Sequence, residues 1–278
     1  ELNKIILDGS IVEEKSSMKL TYEEKRRRVQ EFRPIDDTFF EVFANNVDVC
    51  QEILRVILQD SNMEVSSVSV QVNYKNMIGR SVRLDALCTL GDGSVCNIEV
   101  QRADHDDHLR RARYHAACLT AGITDPGERF KEVPTLYIVY ITEFDFLQQN
   151  RTIYHIDRMI RETDTVVDDG QHEIFVNTKV NDGSEIAELM QCFMQKDVNN
   201  SKFPIFSNRV QYLKNDEGGL SVMCEVMEKY AKEYVEKEKD DDIRAALKKG
   251  IEIETICEVL RVTRGRVERV RKDMMIHN

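Results

Sequence analysis

The sequence predicts an α/β fold in which helices flank a mixed central sheet, and three observations favour it. Apolar residues recur at helical spacing after Asp36, and three later segments alternate apolar with polar residues as half-buried strands do. A further run, Pro134 to Ile141, is almost continuously apolar, which is typical of a strand buried on both faces of a sheet. A second helix is expected between the third and fourth strands. The element order is therefore helix, three strands, helix and strand, with an α-helical extension at the carboxyl end.

The first helix is predicted from Asp36 or Asp37 to about Gln59, where apolar residues recur at intervals of three and four. Pro34 precedes it, and paired aspartates at this point are a typical helix start. Three strands follow as an antiparallel meander, and a helix comes next. These strands are expected at residues 65–74, 81–90 and 95–101, and the helix at residues 104–122.

Later elements follow from shorter patterns. We expect a strand or turn at 153–161, a strand at 172–177 and a helix at 185–195. A long charged helix is predicted from Leu220 towards Asp240, and the three aspartates at 240–242 predict its end. Three short helices are expected beyond that break, at 243–247, 253–260 and 264–272.

Three regions are predicted along the chain: a leader at 1–30, a main domain at 31–220 and a helical tail at 221–278. The first twenty residues of the leader lack periodicity, which indicates a loose or partly paired segment. The chain begins with Glu1 rather than with methionine, and we expect that an amino-terminal piece is missing.

The composition narrows the class of protein. The chain has 278 residues, enough for one large domain with an appendage, and a formal net charge of −11. Its seven cysteines are scattered and lack a Cys-x-x-Cys pair, which favours reduced thiols over a disulfide framework or a zinc cluster. No run of 18 apolar residues exists and the amino terminus is polar. We therefore expect neither a membrane span nor a signal peptide, and a cytoplasmic location.

The alternation of residue types predicts the register of one hairpin. If a three-residue loop is centred on Asp92, residues whose numbers sum to 184 lie opposite each other. The even positions of both strands are then apolar, while the odd positions place Asp85 opposite Glu99 and Arg83 opposite Gln101. Because directly opposed carboxylates repel, this pair favours a bound cation, and oxygen ligands suit a hard metal such as Mg²⁺.

This hairpin resembles the active site of the PD-(D/E)XK nuclease superfamily, in which an acidic residue on one strand precedes Glu-x-Lys or Glu-x-Gln on the next. The resemblance is closer to the recombination-promoting nuclease or putative transposase family of bacteria, a PD-(D/E)XK nuclease family transposase. It covers about residues 30 to 235 and includes the segments 33–40, 80–85, 111–115 and 168–170. It implies a restriction-endonuclease-like αβββαβ core for the main domain, in agreement with the predicted element order.

The resemblance also implies a metal-dependent DNA endonuclease. Asp85 and Glu99 would bind Mg²⁺, with Mn²⁺ as a substitute, and the backbone carbonyl of Val100 would complete the coordination. Gln101 shares a face with Glu99 and stands where most of the superfamily has a lysine. A glutamine can position water through hydrogen bonds, but it carries no charge.

Further residues are expected near this site. In the family, an acidic residue near the position of Asp37 lies close to the metal, which makes Asp37 a candidate ligand. Helix N-capping alone would also explain an aspartate at this position. Tyr114 resembles a characteristic aromatic residue of the family and is expected to pack against the site, unless it is simply a half-buried helix tyrosine. Arg110 or Arg113 would contact phosphate.

The tail is basic within an acidic chain. Residues 243–272 contain nine Lys or Arg against four Asp or Glu. Two helices joined at residues 261–263 are compatible with a helix-turn-helix reader, in which Arg264, Arg266 and Arg269 would contact DNA. The alternatives are solvated helix faces or a tail that binds a partner or a second copy.

Two functions stay open at this point. One is a Mg²⁺-dependent endodeoxyribonuclease that acts in recombination, transposition or mobile-element defence. The other is a weakly active or inactive nuclease fold that binds DNA or protein, which the negative charge and Gln101 favour. A double-strand break would favour a homodimer, because it requires two active sites.

Overall fold

The computed structural model describes residues 21–74, 81–104 and 107–276. Most of the expected leader lies outside these residues, but Tyr22–Glu31 form a helix, α1, which the sequence analysis did not predict. Thr21 and Glu24 begin it with a capping box, in which each side chain accepts the backbone N–H of the other residue. The start of α1 is therefore set by a local hydrogen-bonding motif rather than by an apolar pattern.

The expectation of one helix from residue 36 to 59 is wrong, because the segment forms two helices, α2 (Asp37–Phe43) and α3 (Val47–Ile57). Asn46 separates them in an extended conformation, and its side chain accepts the Val49 N–H as the N-cap of α3. The break allows the phenylalanines of α2 and the aliphatic residues of α3 to enter the same core from different directions.

A six-stranded sheet forms the centre of the molecule. Its strands are β1 (Val65–Tyr74), β2 (Val82–Leu90), β3 (Val95–Gln101), β4 (Leu136–Thr142), β5 (Ile153–Ile156) and β8 (Gln171–Asn177). Their order across the sheet is β1-β2-β3-β4-β8-β5, with parallel pairing of β4 to both β3 and β8. Helix α4 (His108–Ile123) lies between β3 and β4 in the chain, as parallel neighbours require. The predicted αβββαβ order and mixed sheet are confirmed.

Two short strands, β6 (Arg158–Ile160) and β7 (Thr165–Val167), pair as a separate ribbon between β5 and β8. The remaining described helices are α5 (Glu185–Met194), α6 (Pro204–Asn215), α7 (Glu217–Lys248), α8 (Ile253–Leu260) and α9 (Arg264–Ile276). The predictions for α5, α8 and α9 are confirmed to within a few residues. Helix α6 was not anticipated.

Helix α7 contradicts the predicted break at residues 240–242, because it continues without interruption from Glu217 to Lys248. Two arginines of α9 bind the Asp240 carboxylate, and Arg244 binds Asp241. These cations offset the repulsion within the acidic run, which therefore stays helical. The predicted helix at 243–247 is the last part of α7, and the proposed boundary at residue 220 falls inside its first turns.

Two apolar clusters cover the two faces of the sheet. One lies between the sheet and helices α2, α3, α5 and α6, and the other lies between the sheet and α4. A third, small cluster joins the end of α7 to α8 and α9. Its buried residues are Ile243, Ile256, Val267 and Val270.

A buried lysine joins several helix ends beneath α2. The side chain of Lys214 on α6 is 3 % exposed, and its Nζ donates to the backbone oxygens of Gln30, Phe32 and Lys196. The first two of these oxygens belong to the end of α1, where carbonyls lack helical partners. Lys214 therefore fixes α1 and the end of α5 against α6.

We expect Lys214→Met to lower the free energy of unfolding by about 3 kcal/mol, because it leaves buried carbonyl groups without donors. Urea denaturation measures this effect. Lys202→Met is the matched control, since the Lys202 side chain is 60 % exposed and forms a surface ion pair with Glu188. The control is expected to change stability by less than about 1 kcal/mol. Equal effects of the two substitutions would contradict the proposed role of Lys214.

Candidate active site

The predicted register of the β2–β3 hairpin is confirmed close to its turn. The backbone pairs are Ala86 with Ile98, Leu87 with Asn97, Cys88 with Cys96 and Thr89 with Val95. Gly93 has a φ of +91°, and the Asp92 side chain accepts the Ser94 N–H at 2.8 Å. Glycine adopts this left-handed conformation without the steric cost that a side chain brings, so the turn residues hold the register.

Backbone pairing ends at Ala86 and Ile98, so the further predicted backbone pairs are not formed. Instead, the Asp85 N–H donates to Glu99 Oε1 at 3.3 Å, and the Val100 N–H donates to Asp85 Oδ2 at 3.1 Å. The two carboxylates thus replace the ladder where the strands separate. They satisfy backbone donors that would otherwise be unpaired.

At Asp85 and at the position opposite it on β1, the apolar side chains of β1 and β2 change from one face of the sheet to the other. Gln71 stands opposite Asp85 on β1, has a φ of +53°, and forms no backbone pair with it. The flanking pairs are Val70 with Ala86 and Val72 with Leu84. The first pair belongs to the apolar cluster of α2 and α3, whereas the second pair contacts the cluster of α4. The prediction of one apolar face for all even positions of the hairpin is therefore wrong for Leu84.

This change of face moves Arg83 away from Gln101. The Arg83 guanidinium lies 3.3 Å from the Glu233 carboxylate and 5.8 Å from the ring centre of Tyr230, both on α7. The predicted pairing of Arg83 with Gln101 is wrong, because the change of face at Asp85 directs the Arg83 side chain towards α7.

Glu99 is buried and held in one orientation. Its side chain is 8 % exposed, and Oε1 accepts a hydrogen bond from Asn97 Nδ2 at 2.8 Å. His115 on α4 places Nδ1 3.4 Å from the same oxygen. Neither neighbour was predicted. Asn97 could have been found from its spacing, because residues two apart on a strand share a face.

The electrostatics of Asp85 indicate an excess of negative charge. Burial raises the pKa of the Asp85 carboxyl well above its usual value, and the nearby charges of Glu99 and Asp37 raise it further. The hydrogen bond from the Val100 N–H acts in the opposite direction. A cation between the carboxylates would remove this repulsion.

Asp37 lies at the start of α2, and its neighbour Asp36 occupies the N-cap position without capping the helix. The Asp36 carboxylate instead accepts the Arg33 N–H at 2.7 Å and pairs with the guanidinium groups of Arg33 and Arg102. Both arginines also contact Glu143, just after β4. This network fixes the start of α2 beside the ends of β3 and β4, and it leaves the Asp37 side chain exposed.

Gln101 contacts α4 rather than β2. Its Nε2 donates to the Ala103 carbonyl at 3.0 Å, and its Oε1 accepts from Arg111 Nη1 at 2.8 Å. The other guanidinium nitrogen of Arg111 lies 3.2 Å from Asp107. Arg111 was not among the predicted site residues. Its spacing of four from His115 could have indicated it, because residues four apart share one face of a helix.

The other predicted residues of α4 are exposed or half-buried. Arg110 and Arg113 are exposed, and Tyr114 is half-buried at the edge of the apolar cluster beneath α4. The tail arginines form ion pairs: Arg264 with Glu254 and Glu268, and Arg269 with Asp240. The third, Arg266, is only 15 % exposed and binds Glu236 and Asp240 of α7.

The donor set suits a hard cation. The N–H and C=O of one strand residue point to the same side, so the Val100 carbonyl faces the gap where β2 and β3 separate. This carbonyl and the carboxylates of Asp85 and Glu99 offer oxygen ligands only, as Mg²⁺ and Mn²⁺ prefer. Within the described residues, no three His, Cys, Asp or Glu side chains converge as a ready metal cluster. A site here would therefore depend on the backbone oxygen and on water.

The fold and site together define a nuclease-like α/β protein. A family model described as "PD-(D/E)XK nuclease family transposase" matches residues 35–191, more than half of the chain. The chain belongs to this family, which confirms the resemblance seen in the sequence. Searches of curated proteins and of solved structures found no match. Among the described residues, no helix is long and apolar enough to cross a membrane.

The raised pKa of Asp85 predicts a stability effect. A carboxyl with a raised folded-state pKa stabilises the fold below its unfolded pKa of about 4, and this contribution is lost as pH rises through the folded pKa. We expect Asp85→Asn to stabilise the metal-free protein by about 1 kcal/mol at pH 8 and by much less at pH 4. Urea denaturation in EDTA at both pH values measures the difference.

Asp92→Asn is the matched control for this experiment, because Asp92 lies in the turn of the same hairpin and its amide replacement keeps the acceptor for Ser94. The control is expected to show no such pH-dependent gain. If Asp85→Asn and the wild type had identical stability at both pH values, the proposed electrostatic strain at Asp85 would be refuted.

Proposed function

We propose that this protein is a metal-dependent endonuclease that hydrolyses phosphodiester bonds in DNA. The observation that carries the proposal is a pair of hydrogen bonds at the point where β2 and β3 separate: the Asp85 N–H donates to the Glu99 carboxylate, and the Val100 N–H donates to the Asp85 carboxylate. These contacts place the two carboxylates and the Val100 carbonyl around the gap between β2 and β3. Purely structural strands would continue their ladder here, and would not oppose two acids at a cost in stability.

The family supports the same class of activity. Membership of a PD-(D/E)XK nuclease family indicates a nuclease and implies a DNA substrate, and nucleases of this kind generally use divalent metals. A role in recombination, transposition or mobile-element defence follows from the transposase description of the family. Mg²⁺ as the metal and cleavage within DNA rather than from its ends are part of the proposal.

The residues have distinct proposed roles. Asp85, Glu99 and the Val100 carbonyl would hold Mg²⁺ or Mn²⁺, which supplies Lewis acidity and a more acidic bound water. The hydrogen bond from Asn97 keeps the Glu99 carboxylate in its orientation, and the His115 ring lies beside it. Each of these side chains is placed by a strand or helix, so the site keeps its geometry without substrate.

Two further side chains contribute to the site in this proposal. Gln101 orients water or a phosphate oxygen by hydrogen bonding from the same side as Glu99. Asp37 lies exposed at the start of α2, where its charge contributes to the field at Asp85. It could bind a water molecule of the metal or a second ion.

Plasmid cleavage tests the function. We expect the protein to nick supercoiled plasmid with Mg²⁺ or Mn²⁺ and to be inactive in EDTA. Asp85→Asn and Glu99→Gln are each expected to lower the rate at least about 100-fold, because each removes a negatively charged ligand of the metal whose positive charge would stabilise the developing charge on the phosphate. Asp92→Asn is the matched control and should retain the wild-type rate.

Two results would contradict the proposal. Equal cleavage by wild type and by both site variants would indicate a contaminating nuclease or another site. No cleavage by folded wild-type protein with either metal, together with retained DNA binding, would support the alternative of a nuclease fold that acts as a binding module. The net charge of −11 and the uncharged Gln101 are the observations that favour this alternative.

DNA contact would involve local basic surfaces, because the chain as a whole is acidic. We propose Arg110 and Arg113 on the exposed side of α4, and Arg264 and Arg269 on α9, as phosphate contacts. The two α9 side chains are 64 % and 62 % exposed despite their ion pairs. Arg266 is assigned a structural role instead, because it is largely buried between α9 and α7.

Salt dependence tests the tail contacts. Arg264→Ala and Arg269→Ala are each expected to reduce the slope of log K against log salt concentration by about 0.9, the value for one phosphate contact on duplex DNA. Fluorescence anisotropy with a labelled duplex measures the slope. Arg129→Ala is the control, because Arg129 is exposed in the segment between α4 and β4 and is assigned no contact. Unchanged slopes in both tail variants would remove α9 from the interface.

A further inference from the structure

We propose that Arg111 is a positioning residue that makes Gln101 act as a hydrogen-bond donor in a positively charged setting. Arg111 and Gln101 together would then replace the single lysine that most of the superfamily has at the position of Gln101. This inference rests on the proposed nuclease function and deepens it, since it assigns the source of positive charge beside the two carboxylates.

The geometry restricts what Gln101 can do. A free carboxamide offers both an acceptor oxygen and a donor nitrogen, and either could face a substrate. Here Oε1 already accepts the Arg111 guanidinium at 2.8 Å. Arg111 carries donors only, so this contact also fixes which end of the carboxamide is oxygen. The Nε2 group, which contacts the Ala103 carbonyl, is the end that stays able to donate to another group.

A lysine is likewise a donor without an acceptor. A glutamine whose oxygen is occupied by a guanidinium therefore matches a lysine in hydrogen-bonding direction. The guanidinium also draws electron density towards the oxygen, which strengthens the N–H donors of the same amide. The positive charge that a lysine would carry lies instead on Arg111, which is hydrogen-bonded to the oxygen of the same carboxamide.

The surroundings of Arg111 favour this role. Its side chain is 29 % exposed, so solvent screens its charge less than that of a fully exposed arginine. Asp107, one turn earlier on α4, contacts the opposite guanidinium nitrogen at 3.2 Å and 3.4 Å. This ion pair offsets part of the charge of Arg111, and it holds Nη2 so that Nη1 is directed towards Gln101.

Other cations close to the site are committed elsewhere among the described residues. Arg33 and Arg102 bind Asp36 and Glu143. Arg83 forms an ion pair with Glu233 of α7, although its charge also acts to lower the pKa of the Asp85 carboxyl. Arg111 is thus the cation for which the structure gives a direct hydrogen bond to the residue in the lysine position.

Cleavage kinetics with a rescue variant test the proposal. Arg111→Gln is expected to lower the cleavage rate at saturating DNA about 100-fold, whereas Arg111→Lys should lose less. Adding Gln101→Lys to Arg111→Gln should restore most of the rate, because the lysine carries donor and charge in one side chain. A purely structural role of Arg111 would not be rescued at position 101. Arg129→Gln is the control and should leave the rate unchanged.

A second measurement does not depend on activity. With ¹⁵N-glutamine labelling, and Gln101→Asn to assign the signal, NMR of the Gln101 side-chain amide reports its orientation and hydrogen bonding. We expect Arg111→Gln to shift this signal and to speed exchange of its two protons, while Arg129→Gln leaves them unchanged. Circular dichroism and thermal unfolding confirm that each variant is folded.

The outcomes separate the two proposals. An active wild type with fully active Arg111→Gln, or a loss that Gln101→Lys does not restore, overturns the role of Arg111 and leaves the nuclease intact. An inactive wild type overturns the nuclease, and the NMR result then decides whether Arg111 holds Gln101. An unchanged Gln101 signal in Arg111→Gln overturns the inference in either case.

Discussion

The rest of the site depends on two hydrogen bonds between β2 and β3, from the Asp85 N–H to the Glu99 carboxylate and from the Val100 N–H to the Asp85 carboxylate. Two antiparallel strands cannot separate inside a protein without leaving backbone donors unpaired. Here the two carboxylates accept those donors, so β2 diverges from β3 at little cost in hydrogen bonding. The remaining cost is electrostatic, because this arrangement holds two carboxylates close to each other. The same acids that open the sheet are therefore those that a metal would stabilise.

The sheet and α4 supply opposite charges to this gap. Asp85, Glu99 and Asp37 bring negative charge from β2, β3 and the start of α2, whereas Arg111 brings positive charge from α4. The chain reaches α4 directly from β3, because a parallel β3–β4 pair needs a crossover of this length. The topology thus places a basic helix face opposite an acidic strand edge. The start of α2 is fixed beside the ends of β3 and β4 by the network of Arg33, Asp36, Arg102 and Glu143.

Helix α7 connects this site to the tail. It packs on the main core through Leu220 and Met223, passes β2 where it binds Arg83, and ends in the small cluster with α8 and α9. Residues 231–239 of α7, which include the partner of Arg83, are all exposed. A continuous helix has a fixed rise of about 1.5 Å per residue, so it acts as a spacer of defined length. DNA held by the tail would then meet the site at a defined distance.

Local patterns in the sequence determined the strands, the register near Asp92 and the pairing of Asp85 with Glu99 as neighbours, because alternation and turn geometry act over a few residues. Only the tertiary structure decided where that ladder stops, since the turn of the sheet at Gln71 depends on helices packed on both faces. It also decided that Arg111, rather than Arg110 or Arg113, meets Gln101. Neighbouring arginines look alike in a sequence, and only the rotation of α4 against the sheet distinguishes the one that faces inward.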